Sequence, residues 1–182
     1  MSALPKPLSI DEFLPWEERQ ELRYEFDGAA AEAMTGGTLA HARIQINLTS
    51  ALHARLRDGP CFVVGSELKV RTEISIRYPD AMVICEPGSQ ESTWTHQPTV
   101  IFEVLSPSSA RKDLGAKNAE YQTLASLRRY VVLHQDVVAA EVFYRDDEGE
   151  FAHQFVAAGG ALQIPEIGVK LPLALCYEGV VD

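Results

Sequence analysis

A chain of 182 residues with 46% apolar content can bury a sizeable core without disulfide or structural-metal staples. The opening MSALPKPLS lacks the apolar stretch of a secretion signal, and no segment approaches the run of about 18 apolar residues that a membrane helix needs, so a cytoplasmic protein with no membrane partner is expected. A formal charge of −10 excludes a generally basic surface for nucleic acid, so any phosphate contact has to be local.

In chain order, Ser9-Ile10-Asp11-Glu12 has the spacing of a helix capping box, with Leu8 and Phe13 placed for a hydrophobic staple and Pro15 placed to disturb the helix. A β-hairpin is expected next, its strands at 23–26 and 29–34 flanking Asp27-Gly28, a pair suited to a two-residue type I′ turn. Over 38–57, Ile44, Leu48, Leu52 and Leu56 recur every four residues and predict the main amphipathic helix, with Gly59 beyond its end. Strands are expected at 61–64, 67–74 and 78–84, then a loop over 86–98 rich in Pro, Gly, Ser and Thr.

Residues 99–105 are so continuously apolar that they read as a central strand buried on both faces, with Glu103 set into it. A helix from Asp113 or Gly115 to Leu124 and a strand at 130–133 then suggest a right-handed crossover. Segments 138–144 and 151–156, split by Asp146-Asp147-Glu148-Gly149, predict a second hairpin, and the remainder, with Pro165 and Pro172, reads as irregular with one closing helical turn. No repeat or linker interrupts the chain, which reads as one domain over 1–182.

Cys61, Cys85 and Cys176 lie far apart in no ligand spacing and read as buried free thiols. His41, His53, His96, His134 and His153 form no HExxH or HxH pattern, which argues further against zinc. Lys69, Arg71, Arg77, Arg111, Lys112, Lys117, Arg128 and Arg129 are either a local phosphate-binding cluster or an ordinary mixed-charge surface, and 141–150 is strongly acidic.

A carboxylate inside an apolar strand is costly to bury unless it is paired or binds a cation, so Glu103 points to chemistry. Asp80, at the head of the preceding apolar segment, could share one ion with it; two hard oxygens plus waters suit Mg²⁺. Lys117 follows Glu103 by 14 positions and could orient or help deprotonate a water, and Glu25 on the first hairpin is a third candidate carboxylate. The plainer alternatives are a turn role for Asp80, an Arg129 partner for Glu103, a solvated Lys117 and a cross-strand arginine for Glu25. Ser106 lacks the G-x-S-x-G elbow of a serine hydrolase. Met34-Thr35-Gly36-Gly37-Thr38 lacks the lysine of a P-loop.

Tyr24-Glu25-Phe26-Asp27-Gly28, His41, Tyr78-Pro79-Asp80, Phe102-Glu103-Val104-Leu105-Ser106-Pro107-Ser108-Ser109 and Asp113-Leu114-Gly115-Ala116-Lys117 with Tyr121 occur in one order. Together they resemble the Uma-two family, whose members are similar to restriction endonucleases of the PD-(D/E)XK superfamily. The resemblance spans residues from about 8 to about 145. It implies an α/β (α+β) restriction-endonuclease-like fold, a central mixed β-sheet flanked by helices with an N-terminal β-hairpin. It also implies a metal-dependent endonuclease hydrolysing DNA phosphodiester bonds, with Asp80 and Glu103 holding Mg²⁺ or Mn²⁺. Where the superfamily pattern has lysine two residues after the glutamate this chain has Leu105, so the resemblance implies that Lys117 supplies that ammonium group, with Glu25 assisting. His41 and Tyr121 match family positions, His41 either touching phosphate or capping its helix and Tyr121 more readily packing than reacting. A double-strand cut by such a domain calls for a homodimer. The rival is a catalytically silent protein that keeps the fold as a binding or interaction module.

Overall fold

The computed structural model describes residues 9–86, 88–106, 110 and 112–180. Helix α1 (Ile10–Glu17) starts at Ser9, whose hydroxyl accepts the Glu12 amide, and it runs two residues past Pro15; Leu8 and its staple lie outside the described residues. Phe13 packs with Ile10, Phe26 and Ile76 against a five-stranded sheet. That sheet comprises β1 (Tyr24–Phe26), β2 (Ala31–Ala33), β4 (Lys69–Arg71), β5 (Ile76–Arg77) and β7 (Trp94–Thr95), in the order β2-β1-β5-β4-β7.

The expected two-residue turn between β1 and β2 is instead a loop of residues 27–30, because Phe26 pairs with Ala31. Asp27 decides this: its carboxylate accepts the amides of Ala29 and Ala30, and Gly28 takes a φ of 87°. Likewise the loop expected over 86–98 supplies β7, which pairs parallel to β4.

The six-stranded sheet has the order β11-β10-β9-β8-β6-β3. Its members are β3 (Phe62–Gly65), β6 (Ala81–Ile84), β8 (Val100–Leu105), β9 (Arg129–His134), β10 (Ala140–Arg145) and β11 (Phe151–Val156). Only β8 and β9 run parallel, with a helical segment between them as the strand-helix-strand order suggested. Helix α2 (Leu39–Leu56) lays Ile44, Leu48, Leu52 and Leu56 on one face of this sheet, against Phe102, Val104, Val131 and Leu133. Met82, Ile101, Tyr130 and Val132 face the other way, toward Tyr121 and Leu124. Both faces of β8 are therefore covered, which is why its sequence is an unbroken apolar run.

The segment expected as one strand over 78–84 is divided between the two sheets. β5 belongs to the smaller and β6 to the larger, and Tyr78-Pro79-Asp80 forms the corner between them. Pro79 has no N–H to continue a ladder, so the strand breaks there. The helix expected up to Leu124 is a π-helix (Lys112–Lys117) followed by the short α3 (Asn118–Gln122).

Past β11 the chain is more ordered than its prolines suggest. β12 (Ala161–Ile164) and β13 (Val169–Pro172) form an antiparallel pair turned through Gly168 at φ 66°, and a 3₁₀ segment (Leu173–Tyr177) packs on α2. Pro172 is tolerated because it ends its strand.

A second correction concerns the cysteines. Cys61 and Cys85, one step beyond the Phe62↔Ile84 pair of the β3–β6 ladder, form a disulfide with a Cα–Cα distance of 4.0 Å; only Cys176 is a buried free thiol. Strand register brought together residues with a sequence separation of 24. Alkylation of the denatured, unreduced protein is therefore expected to add a single label, against three after reduction. Reduction should lower the unfolding free energy by about 3 kcal/mol in denaturant titrations. Three labels without reductant would show that the bond does not form.

Candidate active site

The antiparallel ladder of β6 and β8 ends at the Ala81–Phe102 pair, and the residues just past it, Asp80 ahead of β6 and Glu103 within β8, line the same cleft. Asp80 is held from three directions. Its Oδ2 accepts the Val104 amide at 2.7 Å and lies 3.2 Å from His41 Nε2, while its backbone carbonyl accepts Gln45 Nε2 at 2.8 Å. His41 thus serves twice: its amide is capped by Thr38 Oγ1, and its ring orients Asp80.

Glu103 is buried, and its Oε1 accepts both Lys117 Nζ and the Tyr121 hydroxyl, each at 3.0 Å. Arg129, the alternative partner, is bound to Glu166 instead. Tyr121 packs in the core as its sequence suggested, yet it also touches this carboxylate. Lys117 lies a further 3.1 Å from Glu25 Oε1 and 3.5 Å from Asp113 Oδ1, so one ammonium serves three carboxylates. Glu25 also accepts the Tyr78 amide at 3.1 Å and sits 3.3 Å from Arg77 and 3.2 Å from Lys112. The π-helix that carries both lysines is tied to β9 by the Tyr130 hydroxyl, which donates to the Asp113 carbonyl at 3.1 Å.

These contacts set the protonation states. Burial pushes the Glu103 carboxyl up to about 8, since Lys117 offsets less than burial and the nearby Asp80, Asp113 and Glu25 add. For Glu25 burial also works upward, but Lys117, Arg77 and Lys112 outweigh it and hold the carboxyl at about 2. Lys117 is raised, the pull of its carboxylates exceeding the effect of burial. The carboxylates around one ammonium keep Lys117 protonated, and with burial they raise the proton affinity of Glu103. The hydrogen bond to Asp80 raises His41 against the opposing effect of burial.

Glu25, Asp80, Glu103 and Lys117 line one cleft of about 490 Å³, walled on one side by His41 and the loop 34–38 and on the other by Lys112 and Asp113. The donor chemistry, the two carboxylates Asp80 and Glu103 lining one cleft, fits a hard cation that retains water. Among the described residues no group of three or more His, Cys, Asp or Glu closes into a metal-binding set.

The proposed basic cluster does not form a surface. Lys69, Arg77, Lys117 and Arg129 are buried in ion pairs with Glu17, Glu120, Glu103 and Glu166. Arg71 pairs with Asp11, and Arg111 lies outside the described residues. Sequence reasoning missed the fork of Arg77 onto Glu120, at 2.8 and 2.7 Å, that supports Glu25 from behind. Nothing in the spacing of residues 43 apart could have signalled it.

The family described as "Uma2: Putative restriction endonuclease" matches residues 10–175. The chain belongs to the Uma2 family. Two uncharacterized proteins of Synechocystis sp. are similar in sequence. One is 30% identical over 176 residues, 95% of this chain and 93% of the relative, and the other 31% identical over 138 residues, 73% and 78%. In structure the chain is similar to a protein from Anabaena variabilis described as "a putative nuclease belonging to DUF820", with a TM-score of 0.80 over 96% of this chain and 99% of that one at 14% identity. The restriction-endonuclease-like fold implied by the Uma2 motifs is therefore the fold observed.

A Glu25 carboxyl held at about 2, against 4.5 ordinarily, adds stability at neutral pH that is lost as the pH falls through that interval. Thermal melts from pH 6 down to pH 2 should therefore show a shallower loss for Glu25→Gln than for the unsubstituted protein. Parallel slopes would mean that Glu25 is not held by these cations.

Proposed function

We propose that this Uma2 protein is a metal-dependent endonuclease that hydrolyses DNA phosphodiester bonds in the cytoplasm. The observation that supports this most is the meeting of Asp80 and Glu103 at one cleft beside the end of the β6–β8 ladder, with Lys117 on the glutamate. A scaffold has no evident need to bury such a set, because well-packed apolar residues would be at least as stable.

In this reading Asp80 and Glu103 hold Mg²⁺ or Mn²⁺, which when bound supplies Lewis acidity at the scissile phosphate. Lys117 carries a raised proton affinity and so acts as a donor rather than a base. Its Nζ, held among its carboxylates, positions the attacking water, whose oxygen bonds to phosphorus and whose proton passes to solvent, while the bond to the leaving oxygen breaks and that oxygen takes a proton from solvent. Glu25 keeps Lys117 in place, and Tyr121 fixes the Glu103 carboxylate by donating to Oε1. His41 and the Val104 amide orient Asp80, which leaves metal binding little side-chain reorganisation at that residue. One cleft cuts one strand, so a duplex break follows from a two-fold homodimer, expected as a dimer in sedimentation at micromolar concentration. The charge of −10 favours a second reading, a silent member that binds a partner through the same fold.

Cleavage of supercoiled and single-stranded DNA is expected with Mg²⁺ or Mn²⁺ and should fall on the order of a hundredfold or more in folded Asp80→Ala, Glu103→Ala and Lys117→Ala proteins. Because burial raises the Glu103 carboxyl, metal binding, which needs the carboxylate, is expected to be coupled to release of its proton. Calorimetry in two buffers of different ionisation heat should then give different apparent enthalpies at neutral pH that converge as the pH rises. Absence of both cleavage and divalent-ion binding would sink the nuclease and leave the interaction module.

A further inference from the structure

The π-helix brings two lysines to the cleft, and the proposed chemistry uses one. In an α-helix, residues five apart point about 140° away from each other, since each residue advances about 100°. The i→i+5 closure of a π-helix brings them onto the same side. Lys112 and Lys117 accordingly reach the two oxygens of one carboxylate, Lys112 Nζ lying 3.2 Å from Glu25 Oε2 and Lys117 Nζ 3.1 Å from Oε1. Their surroundings differ. Lys117 is buried among carboxylates, whereas the Lys112 side chain is 29% exposed at the lip and makes its shortest contact, 2.7 Å, with Glu32, itself 70% exposed on β2.

We propose that Lys112 is the contact for a backbone phosphate of the nucleic acid, and that Glu32 occupies the place of that phosphate in the free protein. This rests on the nuclease reading and adds to it the group that holds the substrate. Among the described residues lining the cleft, Lys112 and Lys117 are the lysines and arginines, against the carboxylates Glu25, Glu32, Asp80, Glu103 and Asp113. Lys117 cannot turn to a phosphate without stranding buried charge. Lys112 exchanges partners at little cost, because Glu32 returns to water and an exposed ion pair is weak. A phosphodiester offers one negative charge over two oxygens, as the departing carboxylate did. Glu25 stays paired throughout, through Lys117 and Arg77. A contact of this kind holds the strand over the metal carboxylates without reading sequence. It also gives a chain of charge −10 a local purchase on a polyanion.

The test is fluorescence anisotropy of labelled duplex and single-stranded DNA in Ca²⁺, over a series of salt concentrations. Glu32→Gln is expected to tighten binding about threefold. Lys112→Ala should weaken it and lower the salt slope by about one, with Lys112→Arg retaining both. In the Lys112→Ala background Glu32→Gln should have no effect. A Glu32→Gln gain that persists without Lys112 would reflect general charge repulsion and overturn the inference, as would unchanged binding in Lys112→Ala. Those results leave the nuclease reading intact. Failure of both the unsubstituted and Glu32→Gln proteins to bind DNA would remove the two together.

Discussion

The Lys117 ammonium, shared by Glu103, Glu25 and Asp113, is the interaction on which the rest of the site depends. Its partners come from β8, from the N-terminal hairpin and from its own π-helix, so one buried cation ties both sheets to the helical segment between β8 and β9. Burying such a group is expensive, and its Coulomb gain repays desolvation only when the remaining lone pairs and protons find partners. Here they do: Tyr121 bonds Glu103, the Tyr78 amide bonds Glu25, and Arg77 with Glu120 backs Glu25 from the far side. A second buried set, Glu17 with Lys69 and the Tyr78 hydroxyl, fixes α1 behind the same corner.

That inward use of cations accounts for how little basic surface this strongly acidic protein presents. Lys69, Arg77 and Lys117 neutralise the buried carboxylates of Glu17, Glu120 and Glu103, and Arg129 the partly buried Glu166, rather than painting a basic face. Long-range attraction for a polyanion is therefore weak, and recognition falls to short-range contacts inside the cleft. Burial, with the same surplus of carboxylates, raises the proton affinity of Glu103.

Backbone irregularities aim the side chains. Pro79 breaks the strand where the chain passes between sheets and leaves Asp80 just ahead of β6, in the cleft that Glu103 also lines. The π-helix turns residues five apart to one side, so Lys112 and Lys117 meet at Glu25. Regular continuations of either element would send these groups elsewhere, and such departures from regularity are common at functional sites.

The sequence by itself determined the elements that rest on local periodicity and capping: α1 with Ser9, α2 with its four-residue apolar repeat, and the doubly buried β8. It also singled out Asp80, Glu103, Lys117 and Glu25, because a charged residue in an apolar or motif setting is visible along the chain. Tertiary structure alone decided the Cys61–Cys85 bond, the Arg77–Glu120 fork, the β12–β13 pair and the burial of the basic residues. Each of these depends on strand register or on contacts between distant segments. A one-residue change in register would send the same side chains to the opposite face, and no local pattern records which register wins.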